Sequence, residues 1–122
     1  MAKLSKDNCM IESTYILVVT TSNQKHDLES LAKLLIEKRM AACVQILGPI
    51  TSIYSWEGKI EQDTEWQCLI KTRHELYGKI EDLIKQEHSY KVPEILVFPI
   101  SEGNPDYMNW IDENTKFTLP SD

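Results

Sequence analysis

The groups with the most chemical potential in this sequence are three histidines, His26, His74 and His88, and three cysteines, Cys9, Cys43 and Cys68. No two histidines have the i, i+4 spacing that presents both imidazoles from one helix face. No cysteine pair has CxxC spacing and the count is odd, so neither a zinc site nor a disulfide framework is expected. Cys43 and Cys68 lie in apolar segments, where a free thiol behaves as a small buried hydrophobe. A metal site would have to assemble from separate segments. His88 is its best candidate, because it lies in Glu87-His88-Ser89-Tyr90-Lys91, just after a helical stretch and near Glu94. Copper(II) favours imidazole nitrogen with oxygen ligands. A histidine at a helix C-terminus also complements the helix dipole without binding anything, and spacing alone leaves both roles open.

Other chemistries find less support. There is no Gly-x-Ser-x-Gly motif, and no cysteine and histidine that the sequence can bring together as nucleophile and base. Thr20-Thr21-Ser22-Asn23-Gln24 has neither the glycines nor the arginine of a phosphate cradle. No enzyme is therefore expected. The chain of 122 residues carries 19 acidic against 13 basic residues, a net charge of −6, which argues against nucleic acid as a partner. It favours cations, neutral small molecules and other proteins. No stretch approaches the ~20 apolar residues of a membrane span, and Met1 to Met10 does not read as a signal peptide. A cytoplasmic protein is expected, with no membrane partner.

The elements that must position these groups follow from periodicity. Tyr15 to Val19 is a continuous apolar, β-branched run and predicts a buried strand. Thr20 to Asn23 breaks it, with Ser22 or Asn23 as a helix cap. Leu28, Leu31, Ala32 and Leu35 recur at helical spacing, predicting an amphipathic helix of about four turns that ends near Arg39-Met40. Cys43 to Leu47 and Ile50 to Trp56 read as extended segments separated by Gly48-Pro49. Glu57-Gly58 is a hairpin turn, and the return strand runs from Lys59 to about Lys71. Both arms exceed the usual five or six residues. Arms that long extend past their own core, and their open edges call for a second copy. Thr72 to Glu75 has capping-box spacing. Leu76, Ile80, Leu83 and Ile84 then mark a second helix ending near Gln86-Glu87. Pro93 and Pro99 bracket Glu94 to Phe98, a strand suited to a sheet edge. Asn104-Pro105-Asp106 opens a short helix carrying Tyr107, Met108, Trp110 and Ile111.

The order β-α-β-β-α-β plus a terminal helix predicts an α+β, ferredoxin-like sandwich: one antiparallel sheet with both long helices on one face. Residues 13–115 form the single domain, 1–12 an N-terminal arm and 116–122 a C-terminal tail. An RNA-recognition domain shares this order, but its third strand needs basic and aromatic residues. Here Ile60 to Trp66 is acidic.

Several segments together resemble the CutA divalent-ion-tolerance family. They are Glu37 to Val44, Ser52 to Glu61, Glu65 with Leu69 to Thr72, His88 to Ile95, and Tyr107 to Trp110. They occur in family order and cover nearly everything from Tyr15 to Glu113. The Trp-Glu-Gly-Lys turn with the Pro-Glu-Ile segment is the specific combination. The resemblance implies a ferredoxin-like subunit in a tight homotrimer, with long hairpins pairing between subunits. It also implies tolerance of divalent cations, copper above all, and a shape similar to the PII signalling trimers. Ser89 stands where the family's His-Pro-Tyr loop has proline. Of the copper ligands proposed in some members only His88 is present, since Thr20 and Glu87 stand where those members have Cys and His.

The polar residues that match the family are Lys59, Glu61, Glu65, Lys71, His88, Tyr90 and Glu94, with Tyr54, Trp56 and Trp110 around them. His88, Glu65 and Glu94 are the expected metal ligands. The others are expected to line an inter-subunit pocket, Lys59 pairing with Glu61 or Glu65 across subunits and Trp56 filling an interface pocket. The expected function is trimeric binding of a divalent cation, copper(II) foremost, in metal-ion tolerance. The alternatives are a PII-like sensor of a small effector and a structural scaffold.

Overall fold

The computed structural model describes residues 14–115; the expected arm with Cys9 and the 116–122 tail lie outside them. The elements run β1 (Tyr15–Ser22), α1 (Lys25–Glu37), β2 (Cys43–Trp56), β3 (Lys59–Arg73), α2 (Tyr77–Glu87), β4 (Ile95–Pro99) and α3 (Pro105–Asn114). A 3-10 turn, His74–Leu76, leads into α2. The strands form one antiparallel sheet in the order β2-β3-β1-β4. This is the ferredoxin-like topology that the element order predicts.

Strand alternation divides the side chains between two faces. On one face Ile16, Val18, Cys68 and Ile70 pack against Leu28, Leu31 and Leu35 of α1 and Ile80, Leu83 and Ile84 of α2. Both long helices therefore cover the same face. The opposite face carries Tyr15, Thr21, Glu65, Lys71 and Arg73, and α3 lies against its lower end. There Tyr15 donates to Asp112 at 2.8 Å, and Arg73 Nε donates to the Thr115 hydroxyl at 2.8 Å.

Four local expectations are corrected. Thr20, Thr21 and Ser22 continue β1 and are buried. They do not break the strand, because β3 pairs with it as far as Ser22↔Trp66. Gln24 is the N-cap of α1 and makes no side-chain cap; Ser22 Oγ instead accepts from Gln24 N–H. The helix stops at Glu37 because Arg39 turns left-handed (φ 58°). Met40 N–H then bonds the Leu35 carbonyl and Arg39 N–H that of Ile36, a Schellman ending built on arginine. Thr72 is no capping residue either: it sits fully buried in β3, and its hydroxyl donates to the Met40 carbonyl at 2.6 Å.

Gly48-Pro49 does not end β2. The pairing with β3 continues after a register shift between Leu47 and Ile50. Gly48 (φ 149°) lies against the Trp66 ring, where a Cβ would come within 2.5 Å of Cδ1. At the hairpin tip Glu57 and Gly58 both take positive φ, 49° and 79°, as a type I′ turn requires. Asn104 caps α3 by accepting from Asp106 and Tyr107 N–H.

Candidate functional site

The site forms where β1 runs out. β4 stops pairing with β1 at Thr20 and β3 stops at Ser22, so the end of β1 is open to the loop that leaves α2. His88 is the C-cap of α2, with extended backbone and its N–H on the Ile84 carbonyl. It starts the segment 88–94 that crosses back to β4.

Two hydrogen bonds fix the His88 ring. Tyr90 N–H donates to Nδ1 at 2.9 Å, and Nε2 lies 2.6 Å from the Thr21 carbonyl oxygen. A backbone N–H only donates and a carbonyl only accepts. Nδ1 is therefore the acceptor and Nε2 carries the proton. The Tyr90 ring leans on the imidazole at a centroid distance of 4.6 Å, and its hydroxyl donates to Glu65 Oε2 at 2.6 Å. On the other side, Thr21 Oγ1 donates to Glu94 Oε1 over a long 3.4 Å. The expected ligands His88, Glu65 and Glu94 thus belong to one chain of contacts, Glu65–Tyr90–His88–Thr21–Glu94. Tyr90 and Thr21 are its links.

Glu65 is only 9% exposed. The Tyr90 hydroxyl is its one hydrogen-bond partner among the described residues, and no Lys or Arg there makes an ion pair with it. A carboxylate so placed is costly without a compensating charge. Burial and the Glu65 carboxylate together push the Tyr90 phenol well above its usual range, burial being the larger cause.

The remaining expected pocket residues share the Glu65 face but fall into two further groups. Trp56 lies opposite Lys59 and Tyr54 opposite Glu61, on the part of the hairpin beyond β1. The Tyr54 hydroxyl bonds Asp63, which raises its pKa to about 12. Lys59 forms no ion pair within the chain among the described residues. Lys71 lies 5.6 Å from the Tyr107 ring centroid, and Tyr107 stacks on Trp110 at 5.5 Å. Sequence reasoning missed Thr21, whose hydroxyl and carbonyl serve two different partners, and Asp63. A polar run continuing an apolar strand was the available signal for Thr21.

As a metal site for copper the single chain does not fit. Among the described residues no three His, Cys, Asp or Glu side chains group closely enough to hold an ion. Both His88 nitrogens are already engaged. Cys68 is buried, and desolvation raises its thiol pKa to about 12, so this residue offers no thiolate near neutral pH. The His88 nitrogens meet backbone groups, not a hydroxyl or thiol. Among the described residues no helix is long and apolar enough to cross a membrane.

Comparison with known proteins agrees with this architecture. Residues 16–114 match the family model for the CutA1 divalent ion tolerance protein. The Thermus thermophilus "Divalent-cation tolerance protein CutA" is 41% identical over 99 residues, spanning 81% of this chain and 96% of that protein. "Protein CutA" of Mus musculus is 41% identical over 98 residues, covering 80% of this chain and 55% of that longer protein. The structure of the "Periplasmic divalent cation tolerance protein CutA" from Archaeoglobus fulgidus superposes with a TM-score of 0.81 at 40% identity, over 84% of this chain and 99% of that one. Homology along nearly the whole described domain, with the same fold, makes this chain a member of the CutA divalent-cation tolerance family.

Proposed function

We propose that the chain acts as a homotrimeric, non-catalytic binding protein in divalent-cation tolerance. Its cation is taken on the face that carries Glu65, Tyr90, Thr21 and Glu94. The observation that carries this reading is Glu65, a nearly buried carboxylate that no Lys or Arg among the described residues neutralises. The rest of the site comes from neighbouring subunits. Ile53, Trp56 and Ile60 are 66%, 57% and 83% exposed on the projecting hairpin, apolar surface of the kind that subunit contacts bury. Copper(II) is the foremost candidate cation, and it would need donors from a second copy. The free thiols Cys43 and Cys68 support a reducing, cytoplasmic setting.

A second reading has its own observation. The exposed Tyr107–Trp110 stack beside Lys71 suits a planar, anionic effector of a PII-like sensor.

Native mass spectrometry during separate copper(II) and manganese(II) titrations tests the proposal. The expected result is a trimer that takes up about three cations, one per subunit by symmetry. A monomer refutes the assembly. A trimer without discrete uptake refutes the cation reading. Thermal stabilisation by nucleotides would then favour the effector.

A further inference from the structure

We infer that His88 is a positioning residue and not a metal ligand: its imidazole latches the segment 88–94 to the end of β1, and so sets the Tyr90 hydroxyl and the Glu94 carboxylate on the binding face. The inference takes that face from the proposed function, but the latch itself stands on geometry alone.

The ring has no lone pair to spare. Nδ1 uses its own to accept from Tyr90 N–H, and Nε2 points its proton at the Thr21 carbonyl. A metal at either nitrogen would strip a partner from one of those backbone groups. The Thr21 side would suffer most, since this residue is 5% exposed. A buried backbone group left unpaired costs as much as a lost hydrogen bond. The ring also fills a gap in the ladder. β1 and β4 last pair at Thr20↔Ile95, so the Thr21 carbonyl lies one residue beyond that ladder, and the imidazole supplies the donor there.

The consequence reaches both carboxylates. Tyr90 lies two residues after the latch and meets Glu65, while Glu94 closes the same segment and meets the Thr21 hydroxyl. Thr21 therefore holds both ends, the start through its carbonyl and the end through its side chain. Releasing the ring frees Tyr90 to leave Glu65. The cation is left to the carboxylate, hydroxyl and phenol oxygens, a set suited to hard divalent ions.

His88→Asn and His88→Ala in the full chain separate the two roles. Asparagine can accept from the N–H two residues on, as His88 Nδ1 does, by forming an Asx turn, but it lacks the imidazole nitrogen. Two readouts are taken: hydrogen exchange of the Tyr90 amide, and affinity for manganese(II) and copper(II). For a latch, exchange in His88→Ala quickens about tenfold, the effect of losing one hydrogen bond of ordinary strength. His88→Asn keeps Tyr90 exchange within about threefold of the parent protein but, lacking the donor to the Thr21 carbonyl, weakens manganese(II) and copper(II) affinity by the same factor, as a lost latch does. The inference is overturned if His88→Asn or His88→Ala loses copper(II) affinity far more than manganese(II) affinity, the mark of a lost imidazole ligand. It is equally overturned if His88→Ala leaves Tyr90 exchange unchanged. If the alanine variant does not fold, the asparagine variant decides alone. If the parent protein binds no cation, the proposed function fails, while Tyr90 exchange still judges the latch.

Discussion

Tyr90→Phe isolates the contact on which the site depends. The substitution keeps the ring that leans on His88 and removes only the hydroxyl that donates to Glu65 at 2.6 Å. Glu65 is 9% exposed and then has no hydrogen-bond partner among the described residues. A hydrogen bond to a charged group contributes about 1.5–3 kcal/mol, and a buried acceptor left bare costs a similar amount. Because Tyr90 itself is only half-buried, we expect a loss of about 2 kcal/mol, near the middle of that range. At roughly 4 °C per kcal/mol for a chain of this size, the midpoint falls by about 8 °C. The assay is thermal unfolding followed by circular dichroism at matched chain concentration, since assembly makes the midpoint concentration-dependent. Glu65→Gln and the double variant complete a cycle, with an expected coupling of about 1 kcal/mol or more. A Tyr90→Phe midpoint within about 2 °C of the parent, together with additive losses, would refute the claim that Tyr90 supports Glu65.

Two further outcomes follow from the core and a cap. The Cys68 thiol is raised from 9.0 to about 12 by burial, so between those pH values the unfolded chain releases a proton that the folded chain keeps. Stability is therefore intact below pH 9.0 and falls as pH rises, by about 1.4 kcal/mol per pH unit from this group. Urea unfolding between pH 9 and 11 should show a shallower decline in Cys68→Ala than in the parent; equal slopes would acquit the thiol. Asn104→Ala removes the side-chain oxygen that caps α3 through Asp106 and Tyr107 N–H. It should cost about 1 kcal/mol, seen as a lower urea midpoint at unchanged slope.

The elements were legible wherever one period dominated. Leu28, Leu31 and Leu35 fall on one helix face and are buried on it. Glu57-Gly58 and Asn104-Pro105 are signals that a few residues settle between themselves. What failed was decided by tertiary pairing. Thr20 and Thr21 suit a strand by their branching, but the change from apolar to polar looks like a strand's end; with Ser22 they remain in β1 because β3 supplies eight consecutive partners, Tyr15↔Arg73 to Ser22↔Trp66. Thr72 matched a capping box by spacing, yet the pull of the sheet and the Met40 carbonyl took its hydroxyl. The site shows the same division. His88, Tyr90, Glu65 and Glu94 were visible as polar residues of the family pattern. Thr21 was not, because its role lies as much in a backbone carbonyl, which no side-chain motif records.

The position of Glu65 ties the site to the length of the hairpin. β1 ends at Ser22, opposite Trp66, so Glu65 is the first β3 residue toward the tip without a β1 neighbour. From there β3 keeps only β2, through Ile50↔Glu65 to Trp56↔Lys59. A two-stranded ribbon of that length has little stability by itself, and its far end exposes Ile53, Trp56 and Ile60. Among the described residues its second edge beyond Glu65 has no strand to pair with. The same break in the sheet therefore leaves three things open at once: a carboxylate without a cation, a ribbon without an edge partner, and apolar residues without cover. One neighbour along that edge would answer the last two. It would also stand beside the first, and this is why the proposed function makes the binding face a boundary between subunits. Shortening the ribbon by deleting 54–61 and closing it with a tight turn should then abolish trimers in native mass spectrometry while leaving the α1–α2 core folded. A persistent trimer would show that the hairpin is not what holds the subunits together.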